Sequence, residues 1–549
     1  MNIKNDNLYF LPLGGSGEIG MNCNLYHYKG KWIMIDLGVM FSNSDLEPYD
    51  ILMPDIDFII KRKNNLSAII LTHAHEDHIG AVPYLYSEFT DIPIYTTSFT
   101  ASVLKRKFDS DDKNKLNLKL FEYNKNFNIG SFSVQICSLT HSIPEPNAII
   151  LKTKKGNIFH TGDWKIDPQP LVGPPIDENE IKEICNDGIT AMICDSTNVF
   201  NENPSGSEFE VRESLKKIFS KKKRGKIIIT CFASNIARLE TILKVSDELN
   251  KCCFFLGRSL HRIYESAIEN NYLKQFNNII DEKDAKVIND DDLVIICTGS
   301  QGENRAGLSR IVNGNHKNLN ISSEDLVIFS SREIPGNEKQ INEIKKEIMK
   351  TGCDLLDHKN SMVHVSGHPS KKELKTMYDW VSPKSLIPVH GEYRHLKEHH
   401  AFSKICGIKD QILVENGDLV LIDNNKKTII NNKIPAGRKA LKGNKIISAD
   451  SKYFQNIKKI SSDGQLFINV IISIDNDLKA EPVVYCPTLA LDEEDIKDFK
   501  SFLKKEIISI SKTCIDDNIL GNEIKIIARI YIKKKIGLKP STIVEIIRI

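Results

Sequence analysis

The chain has 549 residues, enough for about three or four domains, and its 41% hydrophobic and 27% charged content is that of an ordinary globular protein. Lys+Arg 74 against Asp+Glu 72 leaves a formal charge of +2, so no global basic field advertises nucleic acid, and such a partner must be held by local patches or by metal. Twelve cysteines with no C-x-x-C pair, and no run of 18 apolar residues, argue against a disulfide framework, a Cys-based zinc site and a membrane span. Met1 to Asp6 lacks an apolar signal region, so the expectation is a cytoplasmic protein with no membrane partner.

In chain order, Leu8 to Leu13 reads as a strand running into Gly14-Gly15-Ser16-Gly17-Glu18-Ile19-Gly20. A dinucleotide fingerprint would need a helix after the glycines. Instead Cys23 to Tyr28 continues as a strand, and Trp32 to Gly38 follows as a third, ending in an acid, Asp36, and a glycine, Gly38. Ala68-Ile69-Ile70-Leu71-Thr72 is an apolar, β-branched run, hence a buried strand. It leads into His73-Ala74-His75-Glu76-Asp77-His78, the pattern H-x-H-x-D-H, and a helix opens at Ile79 to Leu85, with Pro83 tolerable in a first turn. Three imidazoles and a carboxylate within six residues suit Zn²⁺, and two such ions need more ligands than one loop supplies.

A recurring pattern offers the rest. Apolar strands end in metal-liking residues: Val134 to Thr140 at His141, Asn157 to Gly162 at Asp163, Ala191 to Cys194 at Asp195, Ser385 to Val389 at His390. Each alone reads as a structural histidine or a turn acid. Loops at one end of a sheet, however, gather residues distant in sequence on a rigid support. We assign His73, His75 and His141 to one ion, Asp77, His78 and His390 to a second, with Asp163 bridging.

H-x-H-x-D-H after a strand, then a lone His, then T-G-D, resembles the metallo-β-lactamase superfamily. Later stretches narrow the resemblance: Asp195-Ser196-Thr197-Asn198, Phe232-Ala233-Ser234-Asn235, Thr298-Gly299-Ser300-Gln301-Gly302-Glu303, Ile334-Pro335-Gly336-Asn337-Glu338, His364-Val365-Ser366-Gly367-His368 and Pro388-Val389-His390-Gly391-Glu392. Together they are similar to the nucleic-acid-processing branch with an inserted β-CASP domain, and within it to the bacterial ribonuclease J family over nearly the whole chain. Trp164 departs from the Phe expected after T-G-D. The resemblance implies an α/β protein: a metallo-β-lactamase αββα sandwich split over 1–213 and 359–424, and a parallel-sheet β-CASP domain over 214–358. The apolar runs Lys226 to Thr230, Leu293 to Cys297 and Leu326 to Phe329 are consistent with that sheet. A Gly/Lys/Asn-rich linker is expected over 425–459 and a small C-terminal α+β domain over 460–549, with a strand at Leu466 to Ile474, a helix around Glu493 to Ile510 and another strand at Ile524 to Ile532. Its family counterpart resembles a dimerisation domain, implying a homodimer or homotetramer.

The chemistry implied is hydrolysis of phosphodiester bonds in single-stranded RNA by a hydroxide activated between two Zn²⁺ per subunit, with Mn²⁺ an alternative. Asp77 would orient that hydroxide. By resemblance His368 would protonate the leaving 3′ oxygen, held by Asp195, and Phe232, Ala233, Ser234, His364, Val365, Ser366, Gly367 and His368 would form the substrate pocket. The resemblance further implies 5′-to-3′ exonucleolytic cleavage, preferring a 5′-monophosphate, together with endonucleolytic cleavage in RNA maturation and decay. It leaves room for an RNA helicase or degradosome partner. The runs Lys221-Lys222-Lys223-Arg224 and Lys533-Lys534-Lys535 are either solvated faces or RNA contacts. A DNA-processing β-CASP nuclease and a non-catalytic RNA-binding scaffold are the competing readings; the second is countered by the occupancy of all seven ligand positions.

Overall fold

A computed structural model describes residues 3–41, 48–108, 116–123, 125–514 and 516–549. The described residues form two compact units, one of 3–41 and 51–438, the other of 48–50 and 439–549.

In the first unit two mixed sheets face each other. One runs Ile429–Lys433, Asp418–Ile422, Leu8–Gly14, Cys23–Tyr28, Lys31–Ile35, Leu66–Ile70, Ile94–Thr96, Leu118–Leu120. The other runs Phe127–Ile129, Phe132–Ser138, Asn147–Thr153, Gly156–His160, Ala191–Asp195, Ser385–Val389, Asp410–Gln411. Phe10, Tyr26, Ile33, Ile35 and Ile70 of the first meet Ile136, Ile149, Ile158, Ile193 and Ile387 of the second in one dry core. The opposite face of the second sheet, with Ile150, Phe159, Met192, Cys194 and Leu386, is covered by Glu178–Ile184 and Lys371–Val381. Strands buried on both faces need continuous apolar runs rather than alternation, and Ala191–Asp195 and Ser385–Val389 are fully buried throughout. Trp164 is fully buried in this outer cluster, so the larger ring is accommodated there.

The inserted domain is a six-stranded, wholly parallel sheet ordered Ile279–Ile280, Cys252–Leu256, Leu293–Cys297, Ile227–Thr230, Leu326–Phe329, Asp354–Leu356. Its central strands carry Ile-rich runs, and helices Ile236–Glu248, Arg258–Glu269 and Glu338–Lys350 make the crossovers. All twelve cysteines are free, most of them buried. Among the described residues no helix is long and apolar enough to cross a membrane.

The stretch 425–459, expected as a linker, is instead largely structured. Ile429–Lys433 pairs antiparallel with Asp418–Ile422 as an edge strand of the first sheet. Arg438–Lys442 and Lys445–Ser448 form a hairpin, and a helix spans Lys452–Asp463. Edge strands and hairpins tolerate a polar, Lys-rich sequence because one side faces water, which is why composition alone suggested a linker.

In the second unit, Gln465–Ile472 pairs with Val483–Tyr485 on one side and runs parallel to Ser541–Arg548 on the other. Two long helices, Glu493–Ser511 and Asp517–Ile536, cover one face through Phe499, Leu503, Ile507, Leu520, Ile524, Ala528 and Ile532. The expected strand at Ile524 to Ile532 is therefore helical. Its β-branched residues argue locally for a strand, but Leu520, Ile524, Ala528 and Ile532 recur every four residues and make one apolar helical stripe. Asp516 caps the helix N-terminus by accepting from Asn518 and Ile519 N–H.

Candidate metal centre

Ends of strands from both facing sheets converge at one edge of the sandwich. Leu66–Ile70 delivers Thr72 and His73, and short helical turns at Glu76–Ile79 and Val82–Leu85 carry the motif onward. Phe132–Ser138 leads to His141, Gly156–His160 to Asp163, Ala191–Asp195 ends in Asp195, and Ser385–Val389 is followed by His390. His390 adopts φ +54° and Asp36 φ +62°, left-handed conformations that cost a non-glycine residue about 1–3 kcal/mol. Gly38 is required by close approach: a Cβ there would strike the backbone carbonyl of Asp77.

Three groups of donors share this space: His73, His75, His141 with Asp163; Asp77, His78, His390 with Asp163; and Asp163, Asp195, His368 with His390. Within each group the ligand atoms lie within 4.8 Å of one another. His75 Nδ1 is 3.0 Å from His73 Nε2 and 3.1 Å from His141 Nε2. Nitrogens at 2.0–2.1 Å from a tetrahedral ion would stand about 3.3 Å apart. Asp163 Oδ2 lies 3.8 Å from His73 Nε2, 3.3 Å from His78 Nε2 and 3.8 Å from His141 Nε2. Asp77 Oδ2 is 3.0 Å from His390 Nε2 and 3.6 Å from His78 Nε2. All seven predicted ligand residues are thus brought together, with Asp163 common to both halves.

The opposite ring nitrogens are each held from behind. His73 Nδ1 donates to Thr72 Oγ1 at 3.0 Å and His78 Nδ1 to Asp36 Oδ2 at 2.7 Å. His141 Nδ1 donates to the carbonyl of Gly367, and His390 Nδ1 to Thr197 Oγ1 at 2.7 Å. With Nδ1 taken as the donor in each, the four Nε2 atoms are the ones turned to the centre, the tautomer arrangement of metal-ligating histidines. Asp163 Oδ1 is buried with no hydrogen-bond partner, its nearest charged neighbour being His390 Nδ1 at 3.5 Å, so it has acceptor capacity left for a cation. The donor set of imidazole and carboxylate, without thiolate, fits Zn²⁺ or Mn²⁺.

Burial, then neighbouring imidazoles, holds His73 and His141 well below the ordinary histidine range, and burial takes His75 down to about 4 despite Asp77. Around His78 and His390 burial pulls the same way, but the carboxylates, Asp163 foremost, outweigh it and raise both. Asp163 and Asp77 resist burial and stay below the usual carboxylate range because imidazoles surround them, His390 foremost for the first and His78 for the second. With no cation bound, the first half of the centre is therefore neutral imidazole and the second imidazolium paired with carboxylate.

His368 Nδ1 donates to Asp195 Oδ2 at 2.7 Å, 3.9 Å from Asp163 Oδ2. Its carbonyl accepts from Ser205 Oγ at 2.8 Å and Asn198 Nδ2 at 3.2 Å, and its N–H donates to Ser366 Oγ. Phe232, Ala233 and Ser234 sit half-buried beyond the end of Ile227–Thr230 in the inserted domain. What ties that turn to the 364–368 stretch is Arg238. Its fully buried guanidinium donates to both carboxylate oxygens of Glu208, to the carbonyl of Ser330 and to that of Val363. His364 Nδ1 is buried without a hydrogen-bond partner, near the cations Arg238, Lys165 and Arg332.

Sequence reasoning missed the residues behind the ligands, Asp36, Thr72 and Thr197, and those that hold the 363–368 stretch, Asn198, Arg238 and Glu208. Asp36 carried a signal, since it too ends an apolar strand. Besides His78 it accepts from Thr72 N–H at 2.8 Å and from Thr72 Oγ1 at 2.9 Å.

Three family profiles match: a "Beta-lactamase superfamily domain" over 47–178, a "Ribonuclease J, beta-CASP domain" over 224–348 and a "Zn-dependent metallo-hydrolase RNA specificity domain" over 358–404. A ribonuclease J of Sinorhizobium meliloti is 38% identical over 88% of this chain and 86% of its own. The chain belongs to the ribonuclease J family. A ribonuclease J of Mycolicibacterium smegmatis is 36% identical, covering 74% of this chain and 73% of its own. One from Helicobacter pylori is 32% identical over 84% and 67% respectively. A crystal structure of a protein of unknown function from Enterococcus faecalis aligns with a TM-score of 0.53 at 16% identity, over 76% of this chain and all of that one, a likeness of fold. Membership of the ribonuclease J family makes the protein a metal-dependent ribonuclease with a metallo-β-lactamase core and a β-CASP domain, as the motifs implied.

Proposed function

We propose that this protein hydrolyses single-stranded RNA at a centre of two divalent ions, Zn²⁺ or Mn²⁺, one held by His73, His75 and His141, the other by Asp77, His78 and His390, with Asp163 shared. The observation that carries this reading is the pair of four-residue donor groups with Asp163 in common, one of whose buried oxygens makes no hydrogen bond. Bound there, the ions would acidify a water toward neutral pH and stabilise charge on the phosphoryl group.

The chain's own residues supply the remainder. Asp77, on the open side of the cluster, orients the attacking water. Asp195 fixes the His368 imidazole through Nδ1 and leaves Nε2 for the departing 3′ oxygen. Burial disfavours the imidazolium at His368, yet Asp195 and then Asp163 raise its pKa above the ordinary value, which suits a proton donor. The stretch His364, Val365, Ser366 and Gly367, tied through the Val363 carbonyl to the buried Arg238 that follows the Phe232, Ala233 and Ser234 turn, is read as the phosphate pocket. The unpartnered His364 nitrogen amid cations supports it. A terminal phosphate seated there would favour 5′-monophosphorylated RNA and 5′-to-3′ exonucleolytic action, with internal cleavage where no end is bound. We extend the reading to domain limits of 1–213 with 359–424 for the catalytic core and 214–358 for the β-CASP domain, to a homodimer or homotetramer, and to a cytoplasmic place of action.

The test follows products from one single-stranded RNA, labelled in turn at each end, bearing 5′-monophosphate or 5′-triphosphate, beside a matched DNA. Mononucleotides from the monophosphorylated RNA, DNA spared and chelator inhibiting, are expected. Internal fragments alone would remove the 5′ pocket from the proposal, and equal cleavage of DNA would favour a DNA-processing nuclease.

A further inference from the structure

Beside the metal centre, where the inserted domain leans on the core, lies an open cavity of about 290 Å³, at the lower end of the range for small-molecule sites. It is lined by Glu76, which sits between the ligands His75 and Asp77, and by Gly80, Pro83 and Tyr84 just beyond them. Two rings stand exposed on its walls: Phe41 is 54% and Tyr84 37% accessible. Two cations complete it, Lys107 from the core and Arg262 from the inserted domain. Lys107 is neutralised by Glu76, whereas the exposed guanidinium of Arg262 has no ion-pair partner among the described residues. Exposed aromatic faces with an uncompensated cation are what a single-stranded nucleotide needs: a surface to stack on and a charge for its phosphate.

We propose that this cavity is a subsite for one nucleotide of the RNA strand, its base stacked against Tyr84 and Phe41 and its phosphate paired with Arg262. The proposal rests on the ribonuclease reading above. Arg262 lies on the helix Arg258–Glu269, and that helix is pinned to the core. Ser102 Oγ donates to Glu269 Oε2 at 2.7 Å, Arg106 Nη1 to the same oxygen at 2.6 Å, and Tyr272 Oη to Glu145 Oε1 at 2.8 Å. The subsite is therefore complete only when both domains are in register. The aromatic wall comes from the core and the free charge from the insertion, so RNA seated here bridges the two.

The experiment measures KM for cleavage of a 12-nucleotide single-stranded RNA over a range of KCl concentrations, for wild type, Tyr84→Ala, Arg262→Ala and Arg262→Lys, with thermal melts of each. Loss of one stack raises KM about 5- to 100-fold in Tyr84→Ala. Removing one phosphate contact makes the slope of log KM against log salt shallower by about 0.7 in Arg262→Ala, and Arg262→Lys keeps the wild-type slope. A merely structural role for Arg262 would move the melting temperature and leave the salt slope alone. Wild-type KM and slope in both Arg262→Ala and Tyr84→Ala overturn the subsite. If Tyr84→Ala melts early, the two Arg262 variants decide. Wild-type protein that leaves the RNA intact overturns instead the ribonuclease reading.

Discussion

Replacing Asp36 by Asn keeps the size of the side chain and removes one acceptor oxygen, and it tests whether the second half of the centre depends on a residue that touches no ion. One carboxylate oxygen accepts from Thr72 N–H at 2.8 Å, the other from His78 Nδ1 at 2.7 Å, and Thr72 Oγ1 reaches both. An amide cannot satisfy both sides. If its oxygen keeps Thr72, its NH₂ faces His78 Nδ1 and forces the ring proton onto Nε2, the nitrogen that must be free for a cation. If it turns over, the buried Thr72 N–H loses its partner. Either outcome removes one charge-assisted hydrogen bond, about 1.5–3 kcal/mol, in line with the 10- to 100-fold loss of metal affinity usual for such supporting residues. Competition titration with a chelator should show one ion per chain weakened by about 10- to 100-fold and the other, on His73, His75 and His141, nearly unchanged. Equal weakening of both ions, or of neither, in a variant that melts near the wild-type temperature would refute the coupling of Asp36 to His78.

Asp195→Asn should lower kcat about 10²- to 10⁴-fold with RNA affinity largely kept. Because Asp195 helps to raise the pKa of His368, the fall of residual activity with rising pH should also move to lower pH. Arg238→Met leaves the Glu208 carboxylate buried and unpaired, so unfolding free energy should drop by about 3–5 kcal/mol in denaturant titration. The double variant Arg238→Met/Glu208→Met should recover much of that. His399, bonded to Ser196 Oγ at 2.8 Å and to Tyr378, is driven by burial from an ordinary 6.5 to about 3. The unfolded chain therefore takes up a proton below pH 6.5 that the folded chain refuses until about pH 3, and stability is lost as pH falls through that window. At pH 5 this costs about 2 kcal/mol. His399→Gln, compared at pH 7 and pH 5, should lack that portion of the acid loss; an identical acid dependence would refute it.

How far the site could be read beforehand follows from where its residues sit. His73, His141, Asp163, Asp195 and His390 each follow an apolar, β-branched run, and a buried strand announces itself by composition, so the residue at its end stands out. Asp36 obeys the same rule and went unassigned because an acid at a strand end is ordinarily a turn residue; only its left-handed backbone and its bond to His78, 42 positions away, set it apart. The Arg238 network could not be foreseen at all. It joins residues 30, 92 and 125 positions apart, and each member alone is an unremarkable charged or small residue. Errors of element type have the opposite origin. Residues 524–532 are β-branched enough to suggest a strand, and what makes them a helix is a four-residue spacing that has meaning only against Leu466, Ile468 and Val470 of the sheet beneath. Local propensity differs between helix and strand by less than about 1 kcal/mol per residue, while each apolar side chain buried on that sheet contributes about 1.5–3 kcal/mol. Packing therefore decides wherever the two disagree. The strand-end ligands were readable because there propensity and packing ask for the same thing, while the residues that orient them answer only to the assembled fold.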